Sequence, residues 1–124
     1  INEKEIRHEL RDRNGAINDL MKRLSQTQNI KNLVVTRGIR GSILYNKKNR
    51  KFIMCDAYAR TSIDKIGAGD AMLSAIALCL KHGLHKDLSL LIASLAAAQS
   101  VMTIGNKETI NKDKILKSLK NILK

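Results

Sequence analysis

Apolar residues recur along the first half of the chain with two spacings, and each spacing predicts one type of element. Ile17, Leu20 and Leu24 recur at helical intervals, which predicts an amphipathic helix with its charges on the other face. The segment around Ile6 predicts a shorter helix that ends before Asn14. Short apolar runs, the first of them rich in β-branched residues, predict strands. These strands cover residues 33–36, 42–45 and 51–55.

The second half of the chain carries three further helical patterns. An alanine-rich run over 71–80 is apolar nearly all round, which predicts a helix packed closely on both sides and ended by Gly83. A second run over 88–102 contains small residues that permit close approach, and Asp87 can cap it. Asn111 can cap a last helix with a basic outer face. The apolar stripe of that helix is formed by Ile115, Leu116, Leu119, Ile122 and Leu123.

Length and composition indicate one soluble globular domain or a piece of one. The chain has 124 residues, of which 44% are hydrophobic and 27% charged. Its longest apolar segment is too short for a membrane span, and its first 13 residues are too charged for a signal peptide. Cys55 and Cys79 show neither metal-binding spacing nor a disulfide framework, so we expect a cytoplasmic protein without a membrane partner.

The formal charge of +12 is the unusual property of the composition. It is compatible with a nucleic-acid partner, with an acidic membrane surface, or with a site that attracts phosphorylated ligands. Because the chain has only three aromatic residues, stacking on single-stranded nucleic acid is disfavoured. The densest positive cluster, at residues 47–51, is typical of a solvated hairpin tip.

The strongest candidate for chemistry is the stretch Gly67, Ala68, Gly69, Asp70, which directly precedes the alanine-rich helix. A loop with such small side chains leaves its backbone N–H groups bare, and the helix directs its positive end at the same place. This combination predicts a phosphate site with a carboxylate base beside it. The same residues could instead serve only tight packing.

Two further patterns each admit a structural interpretation. Asn2 and Glu5 have the spacing of a capping box at the start of a helix. Gly38 and Gly41, in the turn that begins at Thr36, could supply the positive φ angles that a hairpin needs.

Together these motifs resemble the ribokinase-like (PfkB) carbohydrate kinases. Residues 64–70 resemble the family signature Asp-Thr-x-Gly-Ala-Gly-Asp, with Lys65 in the place of threonine. The Asn-x-x-Glu pair and the Thr-x-Gly-x-x-Gly turn also match, in the family's order and over nearly the whole chain. The opening Asn-Glu-x-Glu-x-Arg and the Thr-Arg-Gly turn show a fainter resemblance to heptose-phosphate kinases.

The resemblance implies an α/β fold, the C-terminal part of a three-layer α/β/α domain with a mostly parallel sheet and a β-hairpin. Residues 1–124 would then be a single nucleotide-binding portion, and the N-terminal sugar-binding half would be absent. The implied reaction is ATP-dependent phosphorylation of a hydroxyl of a sugar or sugar phosphate. We expect the isolated chain to be inactive, and its unpaired sheet edge allows self-association, for instance as a homodimer.

The resemblance also implies a role for particular residues. Asp70 corresponds to the catalytic base, and Gly67, Ala68 and Gly69 form the anion hole. ATP would be the nucleotide and Mg²⁺ its ion, organised indirectly by Asn2 and Glu5. The implied nucleotide-binding residues are Thr36, Gly38, Gly41, Ser94 and Asn106, although Ser94 could equally bond its own backbone. A K⁺ ion could be held by Asp64, Ile66 and Gly105, unless Lys65 replaces it.

Two other functions remain compatible with the sequence. A basic nucleic-acid-binding domain would explain the charge, but two central helices that look buried argue against it. A nucleotide-binding module that has lost its catalytic activity would keep the fold, but the intact Asp70 argues against that alternative.

Overall fold

The computed structural model describes residues 1–59, 67–102 and 109–124 of the chain. The predicted helices and strands are present in this part, with their bounds shifted by a few residues. The helices are α1 (Glu3–Glu9), α2 (Ile17–Thr27), α3 (Ala68–Lys81), α4 (Lys86–Val101) and α5 (Lys112–Ile122). The strands are β1 (Asn32–Thr36), β2 (Ser42–Asn46) and β3 (Lys51–Cys55), and a short 3-10 helix (Gly38–Arg40) joins β1 to β2. None of the described helices is long and apolar enough to cross a membrane.

The three strands form one antiparallel sheet with β2 in the middle. Leu44 of β2 lies opposite Val34 on one side and opposite Ile53 on the other. Short connections between consecutive strands favour this arrangement, because a parallel pair needs a long crossover. Among the described residues, the one parallel pairing is a bridge between Asn2 and Thr36. The mostly parallel sheet that the resemblance implies is therefore not confirmed by the described strands.

Helices α1 and α2 cover one face of the sheet. Ile6, Leu20 and Met21 are fully buried against the residues that β1 and β2 direct to that face. The sheet residues of this cluster are Leu33, Val35, Ile43 and Tyr45. The prediction that the stripe of α2 faces the core is confirmed.

Helices α3 and α4 cover the opposite face. Met72 and Ile76 of α3 and Leu90 of α4 pack with Leu44, which β2 directs to this side. Because helices lie on both faces, every residue of β2 is buried. The described residues thus form three layers, helix, sheet and helix, as the resemblance implies.

Local capping agrees with the sequence at three helix ends and differs at a fourth. Asn2 and Glu5 form the capping box of α1, Gly83 has a φ of +74° after α3, and the Asn111 side chain caps α5. The predicted cap of α4 by Asp87 is wrong. The helix begins at Lys86 with His85 as its N-cap residue, so Asp87 lies inside the first turn. There its negative charge still interacts favourably with the positive end of the helix dipole.

The prediction that α3 is packed on both sides is also wrong for the described residues. Leu73 of α3 is 66% exposed and Leu78 is 59% exposed. An apolar composition predicts burial but does not say which part of the protein covers each face. The basic hairpin tip, in contrast, is exposed at Lys48, Asn49 and Arg50, as predicted.

An ion cluster fixes α1 to the turn between β1 and β2. The Glu3 carboxylate accepts hydrogen bonds from Arg7, at 2.9 Å from Nη2, and from Arg37, at 3.2 Å from Nε. It also accepts one from Arg40, at 2.6 Å from Nη2. The Glu3 side chain is only 12% exposed, so these contacts are partly shielded from water. We refer to these four residues as the Glu3 cluster.

The Glu3 cluster also sets the charge state of its carboxylate. Partial burial raises the pKa of Glu3, but the hydrogen bonds from Arg7 and Arg37 and the charge of Arg40 together outweigh that effect. The pKa of Glu3 therefore lies below its usual 4.5. The folded protein holds this side chain in the ionised form.

The burial of β2 predicts a clear contrast between two isoleucines on neighbouring segments. Ile43→Ala should lower the free energy of unfolding by about 2–5 kcal/mol, because it leaves a cavity in the core. Ile39→Ala is the matched control, since Ile39 is 82% exposed, and it should change that free energy by less than about 0.5 kcal/mol. Urea unfolding measures both. Equal effects of the two substitutions would contradict the described layering.

The lowered pKa of Glu3 predicts a pH-dependent contribution to stability. Ionised Glu3 stabilises the fold at neutral pH, and this contribution is lost as the pH falls from 4.5 through the lower pKa of the folded state. Glu3→Gln should therefore be less stable than the parent protein at pH 7, and the difference should shrink below pH 4.5. Urea unfolding as a function of pH measures it, with Glu9→Gln as the control at an exposed position of the same helix. A difference that is constant with pH would refute this assignment.

Candidate functional site

The N-terminus of α3 is open at the glycine motif. Gly67 is its N-cap residue, with a φ of +89°, and its carbonyl accepts the first helical hydrogen bond from the Ala71 N–H at 2.9 Å. No described side chain caps this helix end. Gly69 and Asp70 are exposed, and a Cβ added at Gly69 would meet no described atom within 4 Å. The first turn thus presents backbone N–H groups and one carboxylate to an open space.

The two glycines of the turn after β1, Gly38 and Gly41, differ in what surrounds them. Gly38 has a φ of +59°, and a Cβ at this position would contact no described atom within 4 Å, so none of the described residues covers its backbone. Gly41 has a φ of +78°, and a Cβ there would collide with the carbonyl oxygen of Cys55. Close packing against Cys55 therefore requires glycine at position 41, whereas no described residue packs against Gly38.

The fold brings the Asn-x-x-Glu pair to the same turn. Asn2 forms its parallel bridge with Thr36, the first residue of the turn motif. The Asn2 side chain accepts a hydrogen bond from the Glu5 N–H at 2.9 Å, and the Glu5 carboxylate accepts one from the Asn2 N–H at 2.8 Å. The capping interpretation of this pair is confirmed, and its part in Mg²⁺ binding stays a prediction. Within the described residues, no group of three or more His, Cys, Asp or Glu side chains could hold a metal ion.

Ser94 contacts the other side of the same turn. Its hydroxyl oxygen lies 3.3 Å from that of Ser42, the first residue of β2, and both side chains are buried. This contact ties α4 to the end of the turn. The described hydrogen-bond partner of the Ser94 side chain is therefore the Ser42 hydroxyl. The predicted contact of Ser94 with a nucleotide stays a prediction.

Five residues of the predicted site cannot be placed. Asp64, Lys65, Ile66, Gly105 and Asn106 lie outside the described residues. Their predicted roles in K⁺ and nucleotide binding therefore stay predictions. Among the described residues, no hydrogen bond joins the first turn of α3 to the turn after β1.

The contacts of the charged residues beside this turn were not predicted from the sequence. Arg37 and Arg40 flank Gly38, and both contact Glu3 directly next to Asn2. The spacing of Glu3 and Arg7 on one helix face could have suggested that pair. The contacts with Arg37 and Arg40 join residues more than 30 positions apart, and no local pattern predicts them.

Comparisons with known structures support one fold family. Ribokinase from Thermotoga maritima is 25% identical, with a TM-score of 0.81, and the match covers 97% of this chain and 41% of that one. Arabidopsis thaliana ribokinase, complexed with ribose and ATP, is 24% identical with a TM-score of 0.81 over 96% and 39% of the two chains. Phosphofructokinase-2 from Escherichia coli, in complex with potassium, is 17% identical with a TM-score of 0.83 over 99% and 40%. The chain thus spans about two fifths of the length of these kinases.

The family assignment comes from the sequence model of the pfkB family carbohydrate kinases. No curated protein matches the sequence significantly. The family model, however, matches residues 1–113, which is most of the chain and includes the Asn-x-x-Glu pair, the turn after β1 and the glycine motif. This chain therefore belongs to the pfkB family of carbohydrate kinases.

Proposed function

We propose that the chain supplies the ATP site, the anion hole and the catalytic base of a carbohydrate kinase. In the reaction, a hydroxyl of a sugar or sugar phosphate receives the terminal phosphoryl group of ATP. The observation that carries the proposal is the first turn of α3, which no described side chain caps and in which Gly69 and Asp70 are exposed. Family membership and the similarity to a ribokinase complexed with ribose and ATP support it.

The anion hole in this proposal consists of the N–H groups of Gly67, Ala68 and Gly69. Phosphoryl transfer needs positioning and neutralisation of charge more than covalent help from the protein. Fixed N–H groups at the positive end of α3 would stabilise the charge that develops on the transferred group. No described atom lies within 4 Å of a Cβ built at Gly69, and this spacing would let that group approach the backbone.

Asp70 is the base in this proposal. As the acceptor hydroxyl attacks the γ-phosphorus, a new O–P bond forms and the bond to the leaving ADP breaks. The proton of that hydroxyl would pass to the Asp70 carboxylate, which is exposed in the first turn of α3.

The nucleotide would lie along the turn after β1. We assign contacts with its phosphates to Thr36 and to the accessible backbone of Gly38. Ser94 and Asn106 would then border the base, and Gly41 would act by shaping the turn.

Two ions fit the proposal to different degrees. Glu5 uses one carboxylate oxygen in the capping box and has a second one for water bound to Mg²⁺, an ion that usually keeps several of its waters. Asn2 would hold Glu5 in place for this indirect role. When bound, Mg²⁺ would neutralise phosphate charge. For K⁺, we keep Asp64, Ile66 and Gly105 as candidate ligands, because phosphofructokinase-2 has been solved in complex with potassium.

In this proposal, a part of the protein outside residues 1–124 supplies the sugar-binding side of the active site. We propose that residues 1–124 are one nucleotide-binding portion and that a sugar-binding portion adds parallel strands at the outer edge of β1. The parallel bridge at Asn2, with the Thr36 N–H donating to the Ile1 carbonyl at 3.0 Å, supports this direction of growth. We accordingly expect at most trace activity from the 124 residues alone, and we place the protein in the cytoplasm on account of its free Cys55 and Cys79.

The proposal predicts the behaviour of Asp70→Asn in the full-length protein. The amide keeps the size of the side chain but cannot accept the proton, so kcat should fall by about two to four orders of magnitude. The Kd for ATP should stay the same or decrease, since a negative charge near the phosphates is removed. A coupled assay of ADP release and calorimetric titration with ATP measure the two quantities.

Asp87→Asn is the matched control for this experiment. Asp87 also lies exposed in the first turn of a helix, α4, so the substitution removes the same charge from the same kind of position. Its kcat should stay close to that of the parent protein. If Asp70→Asn kept a kcat near the parent value, Asp70 would not be the base and the proposed mechanism would fail.

A further inference from the structure

The Glu3 cluster carries more positive charge than its internal contacts neutralise. Three guanidinium groups, from Arg7, Arg37 and Arg40, share the single carboxylate of Glu3. Two positive charges are therefore in excess at the end of β1. One arginine would suffice to fix α1 to the turn, and each additional one adds repulsion between like charges.

The three arginines differ in how many of their side-chain N–H donors form hydrogen bonds. Arg7 donates to both Glu3 and the backbone, with its Nη1 bonded to the carbonyls of Arg13 and Gly15 at 3.1 Å and 2.9 Å. To the described residues, the Arg37 side chain donates only through Nε, and the Arg40 side chain donates only one bond, from Nη2. A guanidinium carries five N–H donors, so most donors of the Arg37 and Arg40 side chains have no acceptor within residues 1–59, 67–102 and 109–124 and can bind another group.

The turn exposes the Arg40 side chain and leaves that of Arg37 partly accessible. The Arg40 side chain is 58% exposed and that of Arg37 is 19% exposed. Between them in the sequence lie Gly38, where an added Cβ would contact no described atom within 4 Å, and the exposed Ile39. One carboxylate oxygen of Glu3 accepts from both side chains, which holds the two guanidiniums side by side before any ligand arrives.

We infer that Arg37 and Arg40, positioned by Glu3, form a phosphate-binding site on the turn after β1. The ligand is a phosphate group, because adjacent guanidinium forks match the geometry and charge of its oxygens. That group belongs either to ATP or to a phosphorylated sugar, and this choice of sources rests on the proposed function. The lowered pKa of Glu3 agrees with the positive field that such a site needs.

The test compares Arg37→Gln and Arg40→Gln with Arg50→Gln in the full-length protein. Arg50→Gln is the control because it removes the same charge from the exposed hairpin tip. Calorimetric titrations use ATP, adenosine and inorganic phosphate, the last also with protein saturated with ATP. Arg40→Lys is added because it keeps the charge and loses the fork, and thermal unfolding identifies any variant that does not fold.

Two results support the site and distinguish its ligand. If the Kd for ATP rises about tenfold or more in both glutamine variants while that for adenosine is unchanged, the site binds the phosphates of the nucleotide. If the Kd for ATP is unchanged but phosphate no longer binds to the ATP-loaded variants, the site takes the phosphate of the second substrate. In either case Arg40→Lys should weaken binding less than Arg40→Gln, and Arg50→Gln should have no effect.

Unchanged binding of both ATP and phosphate in the folded glutamine variants would overturn the inference, and the Glu3 cluster would be a structural clamp alone. Equal losses in the Arg50→Gln control would also overturn it, because they would reflect overall charge. The outcome is separable from that of the proposed function, since Asp70→Asn tests the reaction through kcat whereas these titrations need no turnover.

Discussion

Burial of β2 from both sides is the constraint on which the rest of the structure depends. Ile43 and Tyr45 point to the layer formed by α1 and α2, and Leu44 points to the layer formed by α3 and α4. Because side chains alternate along a strand, a shift of one residue in its pairing would exchange the two faces. The register of β2 fixes the position of the short turn before it and of Gly38 and Gly41 in that turn.

Two polar contacts connect this turn to helices α1 and α4. Glu3 ties the N-terminus of α1 to Arg37 and Arg40, and Ser42 ties the end of the turn to Ser94 of α4. The arginines proposed for phosphate, the Asn2–Glu5 pair proposed for Mg²⁺ and Ser94 are thus attached to one short segment. The proposed anion hole in the first turn of α3 has no hydrogen bond to that segment among the described residues. In the proposed mechanism, such attachment matters because phosphoryl transfer depends mainly on positioning.

Local features of this fold could be predicted from the sequence, whereas contacts between distant residues could not. The capping box of Asn2 and Glu5 and the left-handed Gly83 depend on residues a few positions apart, and both were predicted correctly. The contacts of Glu3 with the turn and of Ser42 with Ser94 join residues 34 to 52 positions apart, and no periodicity encodes them. The exposed face of α3 was missed for a related reason, since composition does not say what covers an apolar surface. The roles of the site residues were inferred from family resemblance and remain proposals.

The central claim is that the nucleotide binds with its phosphates between the first turn of α3 and the turn after β1. A crystal structure of the full-length protein with a non-hydrolysable ATP analogue and Mg²⁺ tests it most directly. We predict that the γ-phosphate oxygens accept hydrogen bonds from the N–H groups of Gly67 to Gly69, with Asp70 beside them and Gly38 next to the inner phosphates. A nucleotide bound with its phosphates away from the N-terminus of α3 would contradict the account.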